Sequence, residues 1–242
     1  TTEIYTLSLH DALPILFAIF FPIDIAIALT GVVHFSNNVF KMALVGKNTD
    51  KTVLLRFGIP AIIASFAGAW TLIRITNLPV LYTYELWGKS FDITPVKLII
   101  AILLIIFSLL EIAPAFQKLQ FDKKKLIAGG LLSGFFGGLA GIQGAIRSAF
   151  LIKSGLSKEA YIATGVMIAS LVDFTRITVY ASRFADAGLH ENVRLLLAAS
   201  LSAFAGALIG KKLLKKTTLK SIQLIVAVFL VLISIALGSG LI

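Results

Sequence analysis

Long apolar runs separated by short charged ones set the pattern of this chain. Runs of roughly 20 apolar residues are enough to cross a hydrocarbon core about 30 Å thick. On that basis helical spans are predicted over 15–45, 53–73, 94–113, 156–183, 195–209 and 222–242. Pro22 suits a helix start. Thr94 and Pro95 form an N-cap and first-turn pair, Ser157 caps the next long helix, and Glu159 complements its dipole. Within 53–73, Gly58, Ala61, Ala64, Ala67, Gly68 and Ala69 permit close helix contact. The 94–113 span has almost no polar face and is expected to meet lipid. Residues 77–93 read as a long external loop, with Pro79, Tyr82, Tyr84 and Trp87 at the interface.

Two stretches break the apolar monotony. Thr30, His34, Asn37 and Lys41 are three or four residues apart and share a helix face, with Asn38 beside them. That face is either interhelical hydrogen-bonding glue or the wall of a site. The second stretch, 126–153, is apolar but rich in glycine. It is followed by a helix carrying Asp173 and Arg176. Lipid tolerates irregular backbone and ionised side chains only where protein or a cavity surrounds them.

Composition sharpens this picture. Of 242 residues, 58% are hydrophobic and 14% charged, where soluble domains run to about 45–50% and about 25%. The net charge of +10 would suggest nucleic acid in a soluble protein. Here its Lys and Arg fall in loops, where they set topology and face anionic membrane lipid, so no nucleic-acid partner is expected. The chain has no cysteine and three scattered histidines, which excludes disulfides and thiolate metal sites and argues against a His-based metal centre. Neither metal nor cofactor is expected. No G-x-S-x-G, H-E-x-x-H, P-loop or paired intramembrane aspartates occur, so the chain does not read as an enzyme.

Residues 1–14, TTEIYTLSLHDALP, lack the basic region and cleavage site of a signal peptide. They resemble a translated sequencing adapter and are expected to be a non-native leader. The rest divides into an incomplete first transmembrane repeat (15–116), a basic cytoplasmic linker (117–125) and a second repeat (126–242). The division rests on a match between AIALTGV (Ala26 to Val32) and AYIATGV (Ala160 to Val166). Charge gives the repeats their direction. The basic loops at 47–56, 118–125 and 211–220 should be cytoplasmic, and those near 77–93 and 184–193 external. The two matched helices then end on opposite sides, so the repeats are inverted. An odd number of crossings must separate Lys125 from Asp186, so 126–153 cannot cross. The predicted fold is an all-α polytopic membrane protein of two inverted repeats. Its glycine-rich segment forms a broken or re-entrant hairpin, turning near Gly137-Gly138 or at Gly141. The equivalent hairpin of the first half would lie before residue 15.

Discontinuous helices at the middle of inverted repeats are where transporters bind solute. A half-helix starting near Gly141 would aim its dipole and the N–H groups around Gly141 and Gly144 into the bundle, favouring an anion. Gln143 adds an amide, and Arg147 a bidentate donor; alternatively Arg147 reaches an interface or a structural partner. Asp173 and Arg176, at i and i+3, either pair with each other or act separately, Asp173 carrying a coupling proton and Arg176 guarding an exit. Thr164 and Gly165 allow close approach to their helix. His34 could titrate near neutral pH, or be a satisfied structural histidine.

GGLAGIQGAIRSAFL (Gly137 to Leu151), KEAYIATGV (Lys158 to Val166), LVDFTR (Leu171 to Arg176) and TGVVHFSNNVFK (Thr30 to Lys41) together resemble the TauE/SafE sulfite-exporter family. The resemblance runs from about Phe17 onward. It implies an inner-membrane transporter exporting sulfite, an organosulfonate or a related small anion, driven by the proton gradient. It also implies a substrate site at Gln143, Arg147, Thr164, Asp173 and Arg176, with Asn37 and Asn38 from the first half. Family members usually carry a glycine-rich segment where this chain has residues 1–14. The expected partners are a small sulfur anion, protons and lipid, and the pattern is compatible with a homo-oligomer. The rival readings are transport of sulfate, thiosulfate or a carboxylate, and a structural membrane subunit without flux.

Overall fold

The structure, a computed structural model, describes residues 17, 21–113, 115, 120–186, 198, 201 and 219–242. The expected leader at 1–14 lies outside them, as do most of the span predicted over 195–209 and most of the basic loop at 211–220.

Helix α1 (Ile23–Val45) begins after Pro22, as its fixed φ favours. A single 3-10 turn, Gly46–Asn48, leads to α2. That helix opens at Lys51–Val53, where the Val53 N–H donates to Asp50 Oδ1 at 2.8 Å. It passes through a π-helical turn at Leu54–Gly58 and continues over Ile59–Thr76. Helix α3 (Pro95–Ile112) starts as predicted, with the Lys97 N–H donating to Thr94 Oγ1 at 3.3 Å. Then come α4 (Leu126–Ala140), α5 (Gly144–Leu151), α6 (Lys158–Asp186) and α7 (Leu219–Gly238). Ser157 Oγ accepts the Ala160 N–H at 3.2 Å and so caps α6. Among the described residues, four helices are long and apolar enough to cross a membrane. The protein is an all-α membrane protein with one small sheet.

That sheet corrects the expected loop at 77–93. Strands β1 (Tyr82–Leu86) and β2 (Lys89–Ile93) pair antiparallel around Trp87 and Gly88, both at positive φ (53° and 72°). A two-residue turn of this kind matches the twist of the strands it joins. Both strands are largely exposed, although Tyr82, Tyr84 and Leu86 alternate with Thr83 and Glu85, and Phe91 and Ile93 with Ser90 and Asp92. Tyr84 Oη donates to the Ser239 carbonyl at 2.8 Å and ties the hairpin to the end of α7.

Helix α3 shows the expected apolar outer surface on one side. Leu98, Ile102, Ile106 and Leu109 are exposed and form a lipid-facing stripe. Its other face packs on α7, where Ser108 Oγ donates to the Ala227 carbonyl at 3.2 Å.

Two further helix pairs place the interior. Helices α2 and α4 run parallel: Gly130, Gly134 and Gly138 of α4 stand against Phe57, Ala61 and Ser65 of α2. A Cβ on any of the three glycines would fall 2.1–2.2 Å from the facing carbonyl oxygen. In lipid, where no hydrophobic effect drives helices together, this intimacy is what supplies attraction. Helices α1 and α6 run antiparallel. Phe35 lies 5.9 Å from Phe174 between ring centroids, Asn38 reaches Asp173, and Gly31 faces Arg176. The two segments that match in sequence therefore lie in helices of opposite direction, as inverted repeats require.

The glycine-rich segment forms the expected hairpin. Helix α4 has 15 residues, about 22 Å of rise and short of the about 30 Å needed to cross. Gly141, at φ +80°, ends it in the left-handed conformation that glycine adopts without strain. Helix α5 then returns. The Phe121 N–H donates to the Ala149 carbonyl at 3.1 Å, and the Phe121 and Phe150 rings stack at 4.2 Å. The segment thus enters and leaves on the side of the basic 118–125 loop. Of the two turning points expected, Gly141 is the one used. Gly137 and Gly138 lie inside α4, the first against Val172 and Gln143 and the second against Ser65.

Candidate functional site

The hairpin tip meets the α1–α6 pair around Asp173. This carboxylate and Arg176 are both wholly buried. Their i, i+3 spacing lets them pair: Arg176 Nε donates to Asp173 Oδ1 at 3.0 Å, and Nη2 stands 2.9 Å from the same oxygen. Gln143 Nε2 also donates to Oδ1, at 3.4 Å, and Asn38 Nδ2 donates to Oδ2 at 3.1 Å. A buried ion pair is stable only when further hydrogen bonds satisfy its atoms. Here α1, α6 and the hairpin each contribute a donor to a single carboxylate.

The hairpin is held in place for this. Ser133 Oγ of α4 donates to the Gln143 carbonyl at 3.1 Å, and Tyr180 Oη donates to the Gly138 carbonyl at 2.5 Å. Gln143 sits at the N-cap of α5 without capping it through its side chain, which leaves the amide for Asp173. Gly144 opens α5, and the N–H groups of a helix's first turn have no acceptor within the helix. Arg147, one turn on, lies alongside α6, its Nε 3.7 Å from where a Cβ on Gly165 would stand. It is close enough for its charge to act on Asp173. Arg176 passes between Gly31 and Gly141. A Cβ on the former would lie 3.1 Å from Nε, and one on the latter 2.8 Å from Nη1.

The structure therefore gathers Asn38, Gln143, Asp173 and Arg176, with Gly141, Gly144 and Arg147 adjacent. Of the two asparagines it is Asn38 that reaches the carboxylate; Asn37 is buried one position away, turned by about 100° around α1. His34 is buried one turn before Asn38. Thr164 lies nine residues before Asp173, at the basic-loop end of α6, where its Oγ1 accepts the Asp50 N–H at 2.9 Å. It belongs to the α2–α6 junction and not to the cluster.

Three contributors escaped the sequence reading. Tyr180 and Ser133 position the hairpin. Tyr180 falls seven residues after Asp173 and four after Arg176, a helical spacing that puts it on their face. Glu111 of α3 lines a narrow recess with Ser108, Leu230, Ile142 and Ala145, on another side of the hairpin tip. Its signal was its charge, since a carboxylate inside an apolar span is rare without a role. Among the described residues, no group of three or more His, Cys, Asp or Glu could hold a metal ion.

No curated protein and no solved structure matches the chain. A family model for the Sulfite exporter TauE/SafE matches residues 12–237. That match covers nearly the whole chain and agrees with its spans, so this protein belongs to the Sulfite exporter TauE/SafE family of membrane transporters.

Proposed function

We propose that the protein exports a small sulfur-containing anion, sulfite or an organosulfonate, from the cytoplasm across the inner membrane, coupled to the proton gradient. The observation that carries this reading is the charge around the hairpin tip. Two guanidinium groups, Arg147 and Arg176, stand near one carboxylate, Asp173, where the half-helix α5 begins. The dipole of α5 adds positive potential at the same place. In a low-dielectric interior that combination favours a compact oxyanion, whose geometry a guanidinium matches in bidentate fashion.

Residues 126–242 act in this reading as the second of two inverted repeats, with 15–116 as the first. Asp173 and His34 are the candidate proton carriers. The basic loops hold the hairpin's open end on the cytoplasmic side.

The test is the melting temperature of detergent-purified protein against sulfite, thiosulfate, sulfate, sulfonates, acetate and chloride. A ligand at a hundred times its Kd stabilises the folded state by about 2.7 kcal/mol. A selective rise with one sulfur oxyanion, absent in Arg147→Ala, is the expected result. A response to acetate alone would replace the sulfur substrate by a carboxylate. Silence across the panel would favour a structural subunit without flux.

A further inference from the structure

Around Asp173 Oδ1, buried polar atoms of opposite kinds are left over. Gln143 is 5% exposed, and its Nε2 is directed at that oxygen. An ionised carboxylate only accepts hydrogen bonds, so the amide nitrogen must face it and Oε1 must turn away. Oε1 is buried with no hydrogen-bond partner among the described residues. The guanidinium of Arg176 meets the same Oδ1. Its Nε makes the hydrogen bond and Nη2 stands 2.9 Å from the same oxygen, while Nη1 is buried with no hydrogen-bond partner among the described residues. Gly141 lets Nη1 approach the hairpin turn without obstruction. One orphaned acceptor, Gln143 Oε1, and one orphaned cationic donor, Arg176 Nη1, thus flank one carboxylate oxygen. Each unsatisfied buried group costs about 1–3 kcal/mol, more when charged.

The chemistry of these orphans restricts what can satisfy both. A fully ionised oxyanion presents acceptors alone: it would serve Arg176 and repel Gln143 Oε1. A sulfonate monoanion presents acceptors and an inert carbon. A singly protonated oxyanion presents an O–H for the amide oxygen and ionised oxygens for the guanidinium. We propose that this site takes its anion in a singly protonated form, such as the O–H tautomer of hydrogensulfite, with Gln143 Oε1 accepting the ligand's O–H and Arg176 donating to its ionised oxygens. This deepens the reading of the cluster as the anion site and rests on it. Gln143 then determines specificity.

The test is calorimetric titration of the full chain with sulfite and with methanesulfinate, over a pH range spanning the second ionisation of sulfite near neutrality. Methanesulfinate carries a methyl where the O–H tautomer of hydrogensulfite carries its hydroxyl and keeps one charge over this range. It therefore reports any titration of the protein's own charged groups here: Asp173, Arg176 and Tyr180 on α6, Arg147 on α5, and Asp24 and His34 on α1. The ratio of the two affinities isolates the ligand's proton. The expected ratio favours sulfite by at least about tenfold at the acid end, the worth of one good hydrogen bond. It should decline with rising pH as the singly protonated fraction declines. In Gln143→Met the two anions should bind within about threefold of each other. If that variant does not fold, the wild-type ratio decides alone. A ratio that is flat or rises with pH overturns the proposal and assigns the orphaned atoms to a bridging water. Binding by neither anion at any pH overturns the anion-site reading itself, and this inference with it.

Discussion

Where α2 meets α4, side chains are pared away; where α1 meets α6, polar ones are concentrated. The first seam puts Gly130, Gly134 and Gly138 directly against backbone carbonyls. Its attraction is dispersion between closely approached backbones, with no side chain that could change state. The second seam is built from Asn38, Asp173 and Arg176, with Gln143 inserted from the hairpin. Its charges carry a desolvation cost that only a complete set of partners offsets. Helix α4 and its hairpin link the two. One side of α4 is fixed on α2 by contacts too tight to slide. At the other, the hairpin's start of α5 faces the charges. The comparison separates a seam that sets position from a seam that carries chemistry, and each should fail in its own way.

The largest effect is expected at the charged seam. Asp173→Ala leaves Arg176 buried without its partner, and breaking a buried pair from one side costs roughly 3–5 kcal/mol. Because that loss comes from an uncompensated charge, a second change should restore most of it. Asp173→Ala with Arg176→Met removes both charges and should melt close to the wild-type protein, without anion binding. Melting of the two variants side by side checks this. Equal destabilisation in both would mean that packing, not charge, holds α1 to α6.

The dry seam should give a smaller loss with no such rescue. Gly134→Ala places a methyl 2.1 Å from the Ala61 carbonyl oxygen, where backbone itself must move. Overpacking of this kind typically costs about 1–3 kcal/mol. No side-chain substitution on α2 can relieve it, because the obstacle is main chain. Any folded fraction should still bind anion with wild-type affinity. A Gly134→Ala protein as stable as the wild type would show that the two helices separate easily and are no fixed frame.

The two seams also differed in how far sequence exposed them. The opposite directions of α1 and α6 were readable, since that needs only loop charges and the AIALTGV/AYIATGV match. The Asp173–Arg176 pair was readable as one of two options, because i, i+3 spacing is local. That Gln143 and Asn38 complete it was not, since they lie 30 and 135 residues away and only the fold brings them near. The hairpin was predictable from crossing parity, but its turn was not. Gly137, Gly138 and Gly141 are chemically the same residue, and only packing shows that the first two lie against neighbouring groups inside α4 while the third takes positive φ. Glu111 was passed over because it sits near the end of an otherwise apolar helix, where charge alone does not reveal which neighbour it faces. The β-hairpin was missed although its strands alternate, because they are short and are joined by Trp87-Gly88 rather than by an Asn-Gly or Asp-Gly turn.

Thr164 offers the smallest and most discriminating test. Family resemblance places it at the substrate site, whereas its hydroxyl accepts the Asp50 N–H at 2.9 Å, nine residues from Asp173 along α6. Thr164→Val keeps the shape and removes the acceptor, leaving that backbone N–H short of a partner. A neutral hydrogen bond of this kind is worth about 1 kcal/mol. The melting temperature should fall slightly and the affinity for anion should stay unchanged, because the side chain acts at the junction of α2 with α6. If anion affinity drops instead while the melting temperature holds, the site extends along α6 toward the basic loops. The polar seam would then be a path of at least two stations rather than one enclosed cluster, with Gly165 and Arg147 between them.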